Sequence, residues 1–170
     1  MTKPILTQEY LKECLHYDPE TGIFRWKKEP RPNRPLIGQI TGVTDEYGYV
    51  RIQIGSKRYR AHRLAFLYMT GAWPTNQVDH RDLNRSNNRW GNLRDATQGQ
   101  NSSNHPTHKN NKVGLKGVGK KTDGRSKPYA AHISINNKKY HLGYFATPED
   151  AHAAYVAAAE TNFSEFARVA

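Results

Sequence analysis

Between Gln77 and Asn101 the chain reads Q-V-D-H-R-D-L-N-R-S-N-N-R-W-G-N-L-R-D-A-T-Q-G-Q-N, and the reading of this stretch decides the fold. Val78-Asp79-His80 is a short strand that sets a carboxylate beside an imidazole. A polar loop follows, and Asn92-Leu93-Arg94-Asp95-Ala96-Thr97 forms a second strand. A hard divalent cation takes oxygen ligands, and an imidazole with an ordinary pKa near 6.5 accepts a proton from water at neutral pH. Phosphodiester hydrolysis uses both, the cation for charge on the phosphate and leaving oxygen, the base for making the nucleophile. Taken singly, these residues have plainer readings. Asp79 is then a solvated carboxylate at a strand end, His80 a surface imidazole, and Asn92 and Asn101 are loop formers or caps.

Composition narrows the classes around this stretch. The 170 residues carry 26 Lys plus Arg against 15 Asp plus Glu, a formal charge of +11, with 36% hydrophobic residues. That length suits one domain or two small ones with modest cores. No long apolar run is present, so neither a membrane span nor a secretory signal is expected, and the expected location is the cytoplasm. Cys14 is the only cysteine, which excludes an intrachain disulfide and a multi-thiolate zinc site. Any metal must sit on oxygen and nitrogen. A basic chain rich in Tyr and Trp points to a polyanionic partner, nucleic acid first.

The charge is unevenly placed. From Ser102 to Phe145 nine cations face one acid, Asp123, while beyond Phe145 the acids Glu149, Asp150, Glu160 and Glu165 face only Arg168. A basic region therefore precedes an acidic one.

Local patterns supply the remaining elements. Thr7 caps a first helix whose stripe is Leu11, Cys14 and Leu15, ending before the turn Asp18-Pro19-Glu20-Thr21-Gly22. Ile23 to Trp26 alternates as a strand, and the prolines between Glu29 and Pro35 break regular structure. Tyr49 to Ile54 and Lys57 to Arg60 make a hairpin about Gly55-Ser56, followed by an apolar helix from Ala61 to Thr70 that Gly71 closes. Gln98 to Gly114 is polar and linker-like, its first residues able to continue a helix. Leu115 to Lys121, Tyr129 to Ile135 and Lys138 to Phe145 are short strands, with Asn136-Asn137 suited to a tight turn. Thr147-Pro148-Glu149-Asp150 opens a last helix, which lays Ala151, Ala154, Tyr155 and Ala158 on the sheet. There is no internal repeat.

The spacing as a whole carries a resemblance. Asp79-His80, then Asn92-Leu93 twelve residues after His80, then Thr97 and Asn101 nine residues after Asn92, resembles the HNH endonuclease family. It is most similar to the phage HNH homing endonucleases whose last motif position is Asn. Tyr17-Asp18-Pro19-Glu20-Thr21-Gly22-Ile23-Phe24-Arg25-Trp26, Ala61-His62-Arg63-Leu64-Ala65 and Trp73-Pro74 resemble the same subgroup, so the likeness spans residues 10 to 104. It implies a ββα-metal fold within an α+β chain, a hairpin with a long loop crossed by a helix. It implies Asp79 and Asn101 as ligands of one divalent metal ion, magnesium or else manganese, and His80 as the general base. Asn92 would position the loop, and the products would end in 5′-phosphate and 3′-hydroxyl groups. His62, on an apolar helix, reads as a packed or supporting histidine.

A second resemblance covers Leu115 to Ala167. Lys116-Gly117-Val118, Tyr129-Ala130-Ala131-His132-Ile133, Lys139-Tyr140-His141-Leu142-Gly143-Tyr144-Phe145, Thr147-Pro148-Glu149-Asp150-Ala151 and Ala154-Tyr155 are similar to the APETALA and ethylene-response DNA-binding domain. That domain is a small three-stranded antiparallel sheet packed on one helix, its sheet entering the major groove. The likeness implies that Lys120, Lys121, Arg125, Lys127, His132, Lys139, His141 and Tyr144 face double-stranded DNA. Positions that are Arg or Trp in the plant domains are mostly Lys, Ser or His here, and Lys lacks the bidentate fork of Arg, so base preference does not transfer. The plainer reading is that these lysines keep edge strands soluble.

The domains expected are a nuclease domain over 1–104, a linker over 105–114 and a DNA-binding domain over 115–170. The expected activity is metal-dependent DNA phosphodiester hydrolysis by a monomer or homodimer, with no membrane and no protein partner implied. A DNA-binding regulator with an inactive nuclease domain is the alternative, and a basic RNA-binding protein a third. Lys27, Lys28, Arg31, Arg34, Arg51, Lys57, Arg58 and Arg60 either grip phosphates near the scissile bond or form a solvated face.

Overall fold

The computed structural model describes residues 6–30, 35–107, 110–135 and 138–167. It divides into two compact units, Met1–Asp95 and Ala96–Ala170. The Asn136-Asn137 turn and the cations Arg31, Arg34, Lys109 and Arg168 lie outside the described residues.

In the first unit, helix α1 (Gln8–Cys14) starts at Thr7, whose hydroxyl accepts from Tyr10 N at 3.3 Å. The helix stops at Cys14, which corrects the sequence expectation: Leu15 begins strand β1 (Leu15–Asp18), antiparallel to β2 (Ile23–Trp26). The reason lies in period-two burial, since Leu15 and Tyr17 point inward with His16 outward, and Phe24 and Trp26 point inward with Arg25 outward. Asp18 closes the turn by accepting from Glu20 N at 3.0 Å and Thr21 Oγ1 at 2.7 Å. Strand β3 (Ile40–Thr41) extends this sheet, and β4 (Val43–Thr44), β5 (Val50–Ile54) and β6 (Lys57–Arg60) form a second antiparallel one. Helix α2 (Ala61–Thr70) follows directly and ends at Gly71, φ 80°, whose N–H reaches Leu67 O. Leu11, Leu15, Tyr17, Phe24, Ile52, Leu64 and Leu67 fill the core between helices and sheets. Against that core lies a third, two-stranded sheet of β7 (Gln77–His80) and β8 (Leu93–Ala96).

The second unit opens with helix α3 (Gln98–Asn104), started by a reciprocal cap in which Thr97 and Gln100 each bond the other's backbone N–H. Strands β9 (Val118–Lys120), β10 (Tyr129–Ile135) and β11 (Lys138–Phe145) form an antiparallel sheet in the order β11-β10-β9. Helix α4 (Pro148–Phe163) begins at Thr147, with Pro at its start and Glu149 and Asp150 in its first turn. Ala151, Tyr155, Ala159 and Phe163 make its buried row, packed with Val118, Ala131 and Ile133 of the sheet. The small sheet on one helix is thus present, and the whole is α+β as the sequence predicts. The division between units falls ahead of the expected linker. α3 belongs with the second unit, where it contacts α4 and where the Lys116 ammonium donates to the carbonyls of Ser103 and His105. No described helix is long and apolar enough to cross a membrane.

Candidate active site

β7 runs against the core, so three successive residues, Val78, Asp79 and His80, are buried despite the strand's alternation. Asp79 is only 3% exposed, and burying a carboxylate demands a partner. Arg94, also buried on the paired strand β8, supplies it: Nε and Nη2 both reach Asp79 Oδ2 at 2.8 Å. Sequence reasoning passed over Arg94, although its position on the strand beside Asp79 is the signal that could have found it.

His80 is 4% exposed, and burial is the main force that lowers its pKa below the ordinary 6.5. Asn88, Asp82 and Asp79 oppose that shift, and the Arg85 charge adds to it. The neutral imidazole is therefore the resting form at neutral pH. Its Nε2 lies 3.5 Å from Asn88 Oδ1. Asn88 is itself fixed from two sides, by its own Nδ2 donating to Ser86 O at 3.0 Å and by Tyr17 Oη donating to its carbonyl at 2.7 Å. The β1–β2 turn presses on the same loop. A side chain at Gly22, φ 73°, would strike the backbone of Asn88 and Arg89. Neither Asn88 nor Tyr17 stands out in sequence, because the contact joins residues 71 positions apart.

The loop between β7 and β8 is closed by Asn92 and Asp82. Asn92 Nδ2 donates to Asp82 Oδ1 at 2.9 Å and to Asn87 O at 2.8 Å, while Asn92 Oδ1 accepts from Asp82 N at 3.1 Å. The Asn92 carbonyl accepts from Arg81 N at 2.9 Å. Burial raises the Asp82 carboxyl somewhat, but the hydrogen bonds from Asn87, Asn92 and Asn84 outweigh it and hold its pKa below the usual carboxylate value.

Beside His80 stands His62 of α2, its ring 5.1 Å away and nearly perpendicular, with Tyr49 at 5.3 Å from His62 and 6.1 Å from His80. His62 is 4% exposed, and its Nδ1 has no hydrogen-bond partner among the described residues. Burial, aided by the nearby His80 and Arg60, pushes its pKa down to about 3.

The structure thus brings Asp79, His80 and Asn92 together in the first unit. Asn101 is half-buried on α3, in the second unit. Among the described residues no three His, Cys, Asp or Glu side chains cluster as a metal site. The Asp79 carboxylate is a hard oxygen donor, and suits a cation such as magnesium that keeps several of its own waters.

The residues expected to face DNA lie on or beside the sheet of the second unit. His132 pairs with His141, and Ser134 with Lys139, on the side of β10 opposite buried Ile133. The His132 and His141 rings are 4.9 Å apart, and His141 stands 4.4 Å from Tyr144. Arg125 lies 4.3 Å over the Tyr144 ring and is also bound to Asp123 by Nε at 2.7 Å. Lys121 and Lys127 are exposed, and Lys120, also exposed, lies 5.6 Å from the Tyr129 ring. Burial, then the charges of Lys139, His141 and Lys121, lower the His132 pKa. An open groove of about 1190 Å³ is lined by Lys112, Lys120, Lys121, Tyr129, His132 and Lys139.

Known proteins resemble this chain in sequence and in part of its fold. The family model described as HNH endonuclease matches residues 59–103, a span holding β7, β8 and most of α3. An uncharacterized HNH endonuclease, L560, of Acanthamoeba polyphaga mimivirus is 33% identical over 136 residues, covering 78% of this chain and 68% of that protein. The chain belongs to the HNH endonuclease family. It is also similar to a solved structure of the HNH homing endonuclease I-HmuI in DNA binding and cleavage, at TM-score 0.41 and 27% identity over 53% of this chain. This chain spans half the length of that one, 50%.

Proposed function

We propose that the protein is a metal-dependent DNA endonuclease of the homing kind, hydrolysing phosphodiester bonds with His80 as general base. The observation that carries this reading is the buried imidazole of His80 beside Asp79 on β7, backed by Asn88 and a loop tied through Asn92. A base held neutral by its surroundings is ready to take a proton from water at neutral pH. With Nε2 set beside Asn88 Oδ1, the imidazole takes the proton as the water oxygen attacks phosphorus in line with the leaving 3′ oxygen. Asn92 is a positioning residue, holding the loop that aims Asn88. Asp79 and Asn101 would hold one divalent ion, magnesium or manganese, whose charge supports that developing on the phosphate and leaving oxygen. Arg94 orients the Asp79 carboxylate.

The second unit supplies DNA affinity in the manner of an APETALA-type domain, with Lys120, Lys121, Lys127, Lys139, His141 and Tyr144 on the duplex. Arg125 reaches it only by sharing or leaving Asp123, to which it is bound. Joined in one chain, the two units raise each other's local concentration at the target. A phage origin fits the resemblance read in the sequence.

The test is incubation of supercoiled plasmid and long linear phage DNA with wild type and His80→Ala, each with magnesium and with excess chelator. Metal-dependent nicking by wild type, and binding without cutting by His80→Ala, is the expected result. Binding without cutting by both proteins would return the chain to the class of DNA-binding regulators.

A further inference from the structure

Two guanidinium groups converge on one tyrosine beside His80. Arg60, the last residue of β6, has its guanidinium carbon 4.2 Å from the centre of the Tyr49 ring, and Arg85, in the loop between β7 and β8, lies 5.0 Å from the same centre. The Tyr49 ring is 6.1 Å from the His80 ring. Three other arginines of this unit are committed elsewhere: Arg51 to Asp45, Arg94 to Asp79, and Arg63 to the carbonyls of Pro74 and Asn76. Among the described residues neither Arg60 nor Arg85 has a carboxylate partner.

Their setting is built rather than incidental. Tyr49 closes a tight turn in which Asp45 Oδ1 accepts from the N–H groups of Tyr47 and Tyr49, both at 3.0 Å, and Gly48 adopts φ 84°. Arg85 Nη1 donates to the Tyr47 carbonyl of that turn at 3.1 Å. Two like charges gathered without an acid repel each other, and stacking on one ring offsets part of that cost. A dianionic or polyanionic ligand would offset the rest, and guanidinium is the side chain whose fork matches phosphate oxygens.

We infer that Arg60 and Arg85, held on Tyr49, form a phosphate clamp that seats the DNA backbone beside His80. The inference rests on the nuclease reading, and it chooses between the two roles open to Arg60 in the sequence. It also adds Arg85, which charge patterning alone did not single out. The clamp binds substrate and takes no part in proton transfer, so it acts on saturation more than on the chemical step.

The experiment is single-turnover nicking of supercoiled plasmid by the full chain with magnesium, as a function of protein concentration, at several salt concentrations. Wild type is compared with Arg60→Gln, Arg85→Gln and the pair, and with Arg60→Lys and Arg85→Lys. Lys12→Gln is the control, since it removes a cation from another ring, Tyr68, at 5.2 Å. Each Gln variant is expected to raise the half-saturating concentration about tenfold, as for loss of a charged hydrogen bond. Each should also lower the salt exponent by about one, with the saturated rate nearly unchanged. The Lys variants should recover the exponent and only part of the affinity, and they answer the question should a Gln variant fail to fold. Wild-type saturation and salt dependence in all variants would overturn the clamp, as would a fall in saturated rate alone. If wild type itself nicks no DNA, the nuclease reading fails first and the clamp with it.

Discussion

The two units place their candidate functional side chains in opposite ways. The first hides them: His62, Asp79, His80, Asn88 and Arg94 are all less than 9% exposed, each answered by a neighbour or held neutral. The second displays them, with Lys120, Lys121, Lys127, Lys139, His141 and Tyr144 on its surface. Water screens the displayed charges and makes each weak and replaceable, whereas the hidden groups have no solvent to fall back on. Chemistry at one bond suits the first arrangement. Holding a long polyanion suits the second, where many small terms add.

That contrast can be broken by experiment, beginning where the effect is largest. His80→Ala should lower the saturated cleavage rate by about 10²–10⁴-fold with DNA affinity retained, measured by single-turnover kinetics beside a binding titration. The wild-type rate should also hold up below pH 6.5 before it falls, because the neutral form is the active one and the His80 pKa lies below its ordinary value. Next, Arg94→Met should destabilise the first unit by about 3–5 kcal/mol in a denaturant melt, since it removes the guanidinium paired with a buried carboxylate. Asp79→Leu together with Arg94→Met should recover most of that stability while leaving no cleavage.

Smaller effects sharpen the comparison. His62→Phe should raise stability by about 1 kcal/mol, as it removes a buried nitrogen without a partner. It should also flatten the pH dependence of stability. An imidazole whose pKa falls from 6.5 unfolded to about 3 folded binds more protons when unfolded, so it costs stability as pH drops from about 6.5 toward 3. Smallest of all, Lys121→Gln or Lys139→Gln should weaken DNA binding only a few-fold and lower the salt exponent by about one, with the thermal midpoint unmoved. A large stability loss from either lysine would mean that the second unit is not the solvated surface described.

What could be read in advance was what repeats locally. Thr147-Pro148 and the Ala151-Tyr155 spacing fixed the start and inner face of α4, and Ala61 to Thr70 with Gly71 delimited α2, because caps and periodicities are short-range signals. β10 and β11 fall on the expected residues for the same reason. β1 was missed because Leu11, Cys14 and Leu15 fit a helical stripe, and only pairing with Ile23–Trp26 makes Leu15 a strand residue. The neighbourhood of His80 was half legible. Asp79, His80 and Asn92 announce themselves by spacing, while Arg94, Asn88, Tyr17 and the Tyr49 pairings are set by tertiary contacts that no window along the chain contains.

The hydrogen bond from Tyr17 to the Asn88 carbonyl has a further consequence, for the order in which the molecule comes into being. It closes a loop of 71 residues, so the support behind His80 depends on one of the longest-range contacts of the first unit. Contacts of that span form late, after local hairpins and helices have condensed. A chain emerging from the ribosome exposes Tyr17 early and Asn88 only near the end of the unit. The surroundings of His80 are therefore completed only once Asn88 can reach Tyr17, and a shorter or partly folded chain does not yet have them.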